Sequence, residues 1–287
     1  MTWEENAAYL AACLPPVAPW LSPEVRELRV RAGSPALVAS GNGIRFTDWV
    51  PDARRVEQAA EALCGHSLYA RREEARQGSL VLRGGHRLGL CGRVSLREGQ
   101  IYALEEISSF CLRLAGQWPG AADGLMALRA PWPRSVLAIG PPGSGKTTFL
   151  RDLCRQWALA GIQAAVNDQR GELAALYQGT PQLDVGPCTD VLEGCGKGAG
   201  LWWLLRSMSP QVIFTDELDG RGDAGAVREA LRCGIKLCAS AHGESLNQVR
   251  ARPGIGSMLA EGLFDFYVVL AGCRIEAIYS REELPWG

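Results

Sequence analysis

Eight consecutive residues near the middle of the chain match the phosphate-binding pattern G-x-x-x-x-G-K-[ST] at every fixed position. The apolar run at 135–139 before them is typical of a buried strand, and apolar residues at helical spacing follow them. The pattern therefore predicts a Walker A loop between a strand and a helix. The residues of this predicted nucleotide-binding loop are Gly140, Pro141, Pro142, Gly143, Ser144, Gly145, Lys146, Thr147 and, at its end, Thr148.

The residue types in this loop predict its chemistry. Glycines allow successive backbone N–H groups to turn toward phosphate oxygens, and the following helix directs its positive end at the same anion. We expect the Lys146 ammonium to reach the β- and γ-phosphates and the Thr147 hydroxyl to ligate Mg²⁺. ATP and Mg²⁺ are therefore the predicted ligands.

A second predicted strand, at 211–215, is followed by two acidic residues, Asp216 and Glu217. Mg²⁺ keeps several waters and prefers carboxylate oxygens, so Asp216 is predicted to hold the metal through its water shell. Glu217 is predicted to orient or deprotonate the attacking water. An apolar strand that ends in Asp-Glu downstream of a phosphate loop is the pairing that ATP hydrolysis needs.

Two further predicted strands are followed by polar residues. Asp168, Gln169, Arg170 and Glu172 follow the strand at 163–167, and His242 follows the strand at 235–240. Because parallel sheets place ligands at the carboxyl ends of their strands, both segments are predicted to lie beside the γ-phosphate. His242 is predicted to sense that phosphate. The catalytic candidates are Lys146, Glu172, Glu217 and His242.

Some candidates remain open at this stage. Arginine can stabilise transition-state charge as a finger, which a neighbouring subunit can supply, and the sequence does not choose among Arg170, Arg206 and Arg221. The glycine-rich stretch 194–200 lacks the spacing of a second phosphate loop and is interpreted as a mobile connection. Trp202 and Trp203 follow it in a predicted helix, and we expect them to be buried against the sheet.

The spacing of strands and helices from about residue 121 onward predicts crossover connections and a mostly parallel sheet. We therefore predict an α/β fold, a RecA/AAA-like P-loop ATPase core, preceded by a smaller α+β domain. The predicted domains are 1–118 and 119–287, with a linker at 115–120. Residues 264–279 are predicted to form a final β-hairpin that extends the sheet.

The first domain contains no obvious catalytic constellation. Its only notable histidine, His86, follows a Gly-Gly turn and is more often structural than functional at such a place. The periodicity predicts helices, a hairpin around Gly41-Asn42-Gly43, and several strands. The predicted helices are 3–14, 52–64 and 67–77, and the predicted strands are 28–31, 36–39, 44–46, 79–83, 87–96, 101–104 and 107–114.

Composition narrows the function classes. The net charge of −1 and the pI of about 6.3 argue against extensive nucleic-acid wrapping, so nucleic acid is an unlikely partner. Ten cysteines without a C-x-x-C pair argue against zinc and are typical of reduced core residues in a cytosolic protein. The N-terminus lacks a basic signal region, and no run approaches the ~20 apolar residues of a membrane span. We expect a cytoplasmic protein whose membrane association depends on partners.

The strand-end motifs together resemble those of secretion-type ATPases, the hexameric motors of type II secretion and type IV pili. A closer resemblance, over nearly the whole chain, is to the stage III sporulation protein AA family. It is carried by the segments 27–31, 85–87, 107–109, 179–186, 189–192 and 205–210. The block at 179–210 is far more specific than the phosphate loop alone.

This resemblance implies a mother-cell ATPase that acts with a membrane-spanning channel toward the forespore, assembled as a homo-oligomeric, hexameric ring. Two positions depart from the usual pattern of the family. Gln169 stands where the family usually has a glutamate, and Arg221 is displaced by one residue after Asp216-Glu217. Both departures bear on the hydrolysis rate rather than on nucleotide binding.

Three other functions fit the phosphate loop less well. A nucleic-acid-dependent ATPase is the main alternative, because related ATPase domains occur with RNA-binding modules, and it predicts salt-sensitive stimulation by RNA or DNA. A small-molecule kinase would need an arginine-rich lid and no catalytic glutamate after the Mg²⁺ aspartate. A guanine-nucleotide switch would need an Asn-Lys-x-Asp stretch, which the chain lacks.

Overall fold

The computed structural model describes residues 3–68, 71, 78–218 and 222–284. The chain divides into two compact units, Met1–Gly116 and Gln117–Gly287. In the described part of the chain, no helix is both long and apolar enough to cross a membrane.

The first unit is built on a six-stranded sheet with the order β3-β2-β1-β6-β5-β4, in which neighbouring strands are antiparallel. Within the described residues of this unit, two helices and two 3₁₀ turns, Pro15–Trp20 and Arg83–Gly85, accompany the sheet. The strands are β1 Val25–Arg31, β2 Leu37–Ser40, β3 Gly43–Phe46, β4 Leu80–Val81, β5 Arg87–Arg97 and β6 Gln100–Arg113, and the helices are α1 Trp3–Cys13 and α2 Ala53–Leu63.

Local sequence explains why α2 forms and which face it buries. The Asp52 side chain caps its N-terminus by accepting a hydrogen bond from the Arg55 N–H at 2.8 Å. Val56, Ala60 and Leu63 recur at helical spacing and are fully buried. They pack in one apolar core with the inward-facing residues of the sheet.

The structure confirms most of the predicted elements of this unit and corrects one. The helices at 3–14 and 52–64 and the hairpin of β2 and β3 are present. The prediction of two separate strands at 101–104 and 107–114 is wrong, because the single strand β6 spans both segments. Register shifts against β5 at Gly92 and Val94 bend this long pair without ending it. The helix predicted at 67–77 lies mostly outside the described residues.

The second unit is built on a seven-stranded sheet with the order β11-β8-β12-β13-β7-β14-β15. All neighbouring strands are parallel except β14 and β15, which form an antiparallel hairpin at the edge. The strands of this sheet are β7 Val136–Gly140, β8 Ala164–Asp168, β11 Thr189–Glu193, β12 Val212–Glu217, β13 Lys236–His242, β14 Phe266–Ala271 and β15 Arg274–Ser280.

Helices cover both faces of this sheet, and each face has its own apolar core. The described helices are α3 Asp123–Met126, α4 Lys146–Leu159, α5 Lys197–Ser207, α6 Asp223–Arg232, α7 Leu246–Arg250 and α8 Ile255–Ala260. Phe149, Leu153 and Trp157 of α4 pack on one face. Leu201 and Leu204 of α5 lie in the core of the other. A short hairpin, β9 Leu176–Tyr177 with β10 Thr180–Pro181, completes the unit.

The prediction of an α/β fold with a mostly parallel sheet is confirmed. The four predicted strands are present with ends shifted by one or two residues, and the final hairpin is β14 with β15. Strand β11 was not predicted, although it pairs with β8 along its whole length. Strand β13 lies between the phosphate-loop strand β7 and the acidic strand β12, so three carboxyl ends meet at one edge.

Candidate functional site

The phosphate loop leaves β7 and enters α4 at Lys146, as predicted. Gly143 and Gly145 have φ values of +75° and +93°, which side-chain-bearing residues rarely adopt. Gly140 cannot carry a side chain, since a Cβ there would lie 2.6 Å from the Leu270 carbonyl oxygen. Ser144 Oγ is buried and has no hydrogen-bond partner among the described residues. The loop thus has the glycine geometry and an unsatisfied polar group that an anion would complete.

Lys146 is folded back onto its own loop. Its Nζ donates to the carbonyl oxygens of Gly140 at 2.7 Å and Pro141 at 2.9 Å and lies 3.2 Å from His242 Nδ1. Burial lowers the pKa of Lys146, and the negative charge of Glu217 opposes this shift. The ammonium therefore has provisional partners, which a phosphate can replace.

His242 connects the phosphate loop to the acidic strand end. It lies in register beside Gly140, and its Nε2 is 3.0 Å from Glu217 Oε2. Nδ1 faces the Lys146 ammonium, which only donates, and Nε2 faces the Glu217 carboxylate. These two contacts fit the tautomer that carries its proton on Nε2 and donates to Glu217. Three predicted residues from three separate segments thus form one contact chain, Lys146–His242–Glu217.

Asp216 is 6% exposed, whereas the Glu217 side chain is 33% exposed. Burial raises the pKa of Asp216, and the negative charges of Asp168 and Glu172 add to this effect. The Lys197 ammonium opposes it from 3.1 Å. Asp216 therefore lies among like charges, where a cation is favoured.

Asp168, also at a strand end, has a different role. Its carboxylate is fully buried and accepts four backbone N–H groups, those of Glu172, Leu173, Ala174 and Ala175, at 2.7–3.2 Å. This cage fixes the loop after β8. The loop is held from the other side by Arg151, which donates to the backbone carbonyls of Leu173 and Glu172 at 2.7 and 2.6 Å.

The structure separates the three arginine candidates. Arg170 Nη1 lies 4.0 Å from Glu217 Oε2 on a largely exposed side chain. Arg206 stacks over the Trp202 ring, with Cζ 5.1 Å from its centroid. Arg221 lies outside the described residues. A further arginine that the motifs missed, Arg252, donates to the His242 carbonyl oxygen at 2.6 Å.

Two sequence predictions near α5 are wrong. The stretch 194–200 is not only a mobile connection, because α5 begins at Lys197 and its first turn includes Gly200. Trp202 and Trp203 are 40% and 64% exposed, so they are not buried against the sheet. The helix instead buries Leu201 and Leu204, which occupy the sheet-facing positions.

Lys197 is the functional candidate that sequence reasoning missed. Its Nζ lies 3.1 Å from both Asp216 Oδ1 and Gln169 Oε1. The lysine was visible as the one charged residue in a glycine-rich stretch, but nothing in that pattern indicated a contact with the acidic strand end. Among the described residues, no group of three or more His, Cys, Asp or Glu side chains could hold a metal by itself.

The sheet order and the phosphate loop give this chain the fold of secretion-type P-loop ATPases. The ATPase DotB of Legionella pneumophila superposes with a TM-score of 0.57 at 15% identity, over 94% of this chain and 76% of DotB. The pilus retraction motor PilT, solved with bound ADP, superposes with a TM-score of 0.55 at 16% identity, over 91% of this chain and 77% of PilT.

Sequence relatives identify the family of this chain. The family described as "Sporulation stage III, protein AA" matches residues 20–283. Stage III sporulation protein AA of Bacillus subtilis is 34% identical over 279 residues, which cover 93% of this chain and 90% of the relative. The chain therefore belongs to the stage III sporulation protein AA family.

Proposed function

We propose that the chain is a Mg²⁺-dependent ATP hydrolase. The observation that carries this proposal is the contact chain Lys146–His242–Glu217, which joins the phosphate loop to the acidic strand end. A lysine that holds the γ-phosphate and a glutamate that holds the attacking water must lie close together for hydrolysis. Here one imidazole separates them.

In the proposed complex, the backbone N–H groups of residues 143–148 surround the phosphates. Lys146 exchanges its contacts with the Gly140 and Pro141 carbonyls for the β- and γ-phosphate oxygens. Ser144 Oγ gains the hydrogen-bond partner that it lacks among the described residues. The loop therefore needs a rearrangement of one side chain rather than of its backbone.

Thr147 and Asp216 are the proposed Mg²⁺ ligands, with Asp216 acting through the water shell. The donor set fits a hard cation, because a nearly buried carboxylate lies near the negative charges of Asp168 and Glu172. Glu172 is proposed to add negative charge at this position. Mg²⁺ held by these residues would supply positive charge against the negative charge that develops on the phosphates.

Glu217 is proposed to orient the attacking water and take its proton. Its position is fixed by the Nε2–H of His242, and its partial exposure leaves room for a water molecule. Once Lys146 turns to the phosphate, His242 Nδ1 loses its partner. With a proton on that nitrogen, His242 can donate to the γ-phosphate, whose oxygens only accept. His242 thus transmits phosphate occupancy to the glutamate, as a sensor does.

Membership of the sporulation family supports a wider role. We propose that the chain acts in the cytoplasm as a homo-oligomeric, hexameric motor on a membrane complex of endospore formation, with nucleic acid not required. Arg170 and Arg206 remain the described finger candidates, and a ring would allow a neighbouring subunit to supply one. The Arg170 side chain is 64% exposed and already lies near Glu217.

The test is steady-state ATP hydrolysis measured against protein concentration, with Lys146→Ala as the blank. We expect specific activity to rise with concentration as subunits complete each other's sites. Glu217→Gln keeps ATP binding and loses turnover by about 100-fold or more, since it removes the base but not the phosphate loop.

Turnover in Glu217→Gln at the wild-type rate would remove Glu217 from the mechanism. Activity that is independent of concentration would contradict the ring. Stimulation by RNA that disappears at high salt would favour the nucleic-acid-dependent alternative.

A further inference from the structure

Arginine greatly outnumbers lysine among the basic residues of this chain. It contains three lysines, Lys146, Lys197 and Lys236, against 27 arginines. Two of the three lysines lie at the candidate site. An ammonium is a compact, mobile point charge, whereas a guanidinium is planar and larger. The sequence therefore has lysine where a small cation must fit a confined space.

Lys197 occupies such a space. Its side chain is 10% exposed, and its ammonium lies 3.1 Å from Asp216 Oδ1 and 3.1 Å from Gln169 Oε1. Because Gln169 is neutral, Asp216 is the carboxylate that this pair of contacts neutralises. A positive charge already stands beside the carboxylate that is proposed to hold Mg²⁺.

The neighbouring cations are engaged elsewhere. Lys146 contacts two loop carbonyls and His242, and Arg151 donates to backbone carbonyls of the loop after β8. The negative charge of Asp216 is therefore neutralised by Lys197, which lies in the first turn of α5.

The N-terminal end of α5, which carries Lys197, lacks a side-chain cap. Its N-cap, Gly196, offers no side-chain hydrogen bond. A Cβ at Gly196 or Gly198 would meet nothing within 4 Å, so packing does not explain these two glycines. Glycine in a helix costs up to about 1 kcal/mol relative to alanine. Glycines that packing does not require, on both sides of Lys197, make this turn easy to rearrange.

We propose that Lys197 is a resident counter-cation of Asp216 that withdraws when a divalent cation binds. Lys197 and Mg²⁺ then compete for one carboxylate, and Lys197 is a positioning residue of the site. The inference rests on the proposed function, which supplies Asp216 as the metal carboxylate. It goes further by assigning Asp216 a cation from the chain itself and by making the metal affinity depend on α5.

The test is a Mg²⁺ titration at fixed ADP, read as the thermal unfolding temperature. We compare wild type with Lys197→Met and with the matched control Lys236→Met. The Lys236 ammonium lies 3.4 Å from Asp265 Oδ2 and does not belong to the phosphate loop. In Lys197→Met, we expect the half-saturating Mg²⁺ concentration to fall about fivefold, since a competing ion pair of modest strength is gone. Lys236→Met keeps the wild-type value.

A double variant separates direct competition from a general change in charge. In an Asp216→Asn background, Lys197→Met no longer changes the Mg²⁺ midpoint. If Lys197→Met does not fold, Lys197→Gln serves in its place. An ADP response with equal or higher Mg²⁺ midpoints in the Lys197 variants overturns this inference alone. A wild-type protein that gives no response to ADP overturns the proposed function and this inference together.

Discussion

The two units of the chain place a histidine in opposite environments, one buried and one partly exposed beside charged groups. In the first unit, His86 lies between the 3₁₀ turn Arg83–Gly85 and β5, is completely buried, and accepts the Ala115 N–H on Nδ1 at 3.0 Å. Burial lowers the pKa of His86 to about 4. In the parallel sheet of the second unit, His242 is partly exposed and contacts two charged side chains.

Strand direction explains the difference. In an antiparallel sheet, the carboxyl ends of neighbouring strands lie at opposite edges, so polar residues that follow the strands are dispersed. In the second unit, β7, β13 and β12 run in the same direction and bring Gly140, His242 and Glu217 to one edge. The same residue type therefore stabilises one unit and is available for chemistry in the other. The predictions below test this contrast, beginning with the largest expected effect.

Asp168 is an exception within the second sheet, because it lies at the functional edge but is fully caged. Asp168→Ala leaves four backbone N–H groups without their acceptor. We expect a loss of about 4 kcal/mol in the free energy of unfolding. Urea unfolding measures it, with the exposed Asp190→Ala as a control that changes stability by less than about 0.5 kcal/mol. A cost for Asp168→Ala as small as that of the control would show that the cage is not structural.

His86 predicts a pH dependence of stability. The unfolded histidine binds a proton with the ordinary pKa of 6.5, whereas the folded one resists protonation until about pH 4. Its contribution is therefore complete above pH 6.5 and is lost as the pH falls toward 4, by up to roughly 3 kcal/mol. The measurement is urea unfolding of wild type and His86→Gln at pH 7.5 and pH 4.5.

His86→Gln should lose much of the difference in stability between the two pH values. His66→Gln, a change at an exposed histidine of the same unit, should retain it. Equal pH dependence in all three proteins would mean that His86 is protonated in the folded state, and the first sheet would then lose its contrast with the second.

Gly200 tests how tightly α5 packs on the second sheet. A Cβ at this position would lie 2.6–2.7 Å from Cγ and Nδ2 of Asn167 and would also collide with its Oδ1. Asn167 is fully buried, so any movement away from a new Cβ would displace its neighbours. Gly200→Ala should therefore destabilise the protein by about 2 kcal/mol. Gly198→Ala, two residues earlier in open space, should be neutral or stabilise by up to about 1 kcal/mol, and the reverse order in urea unfolding would contradict this packing.

The sequence was informative wherever local pattern and topology agreed. The phosphate loop, the acidic strand end and His242 were predicted from short motifs, because a parallel sheet brings its strand ends together whatever lies between them. Strand β11 was missed because Thr189, Asp190 and Glu193 make it polar for a strand. Whether the predicted residues act as proposed stays a prediction that the experiments above test.

The contact of Lys197 with Asp216 and the exposure of the two tryptophans could not be predicted from the sequence pattern, for one common reason. Their positions depend on where α5 begins and on which side it faces the sheet. A start at Lys197 directs Leu201 and Leu204 inward and leaves Trp202 and Trp203 outward. Adjacent apolar residues in a helix point about 100° apart, so hydrophobicity alone does not say which of the five consecutive apolar residues 201–205 are buried.

Trp203 gives the smallest expected effect and tests that orientation directly. Because its side chain is 64% exposed, Trp203→Ser should change the free energy of unfolding by less than about 0.5 kcal/mol. Leu204→Ala, the next residue on the helix and nearly fully buried, should cost about 3 kcal/mol. Both are measured by urea unfolding at low protein concentration, where contacts between copies do not contribute. If Trp203→Ser cost as much as Leu204→Ala, α5 would have to be rotated relative to the sheet. Lys197 would then no longer lie beside Asp216.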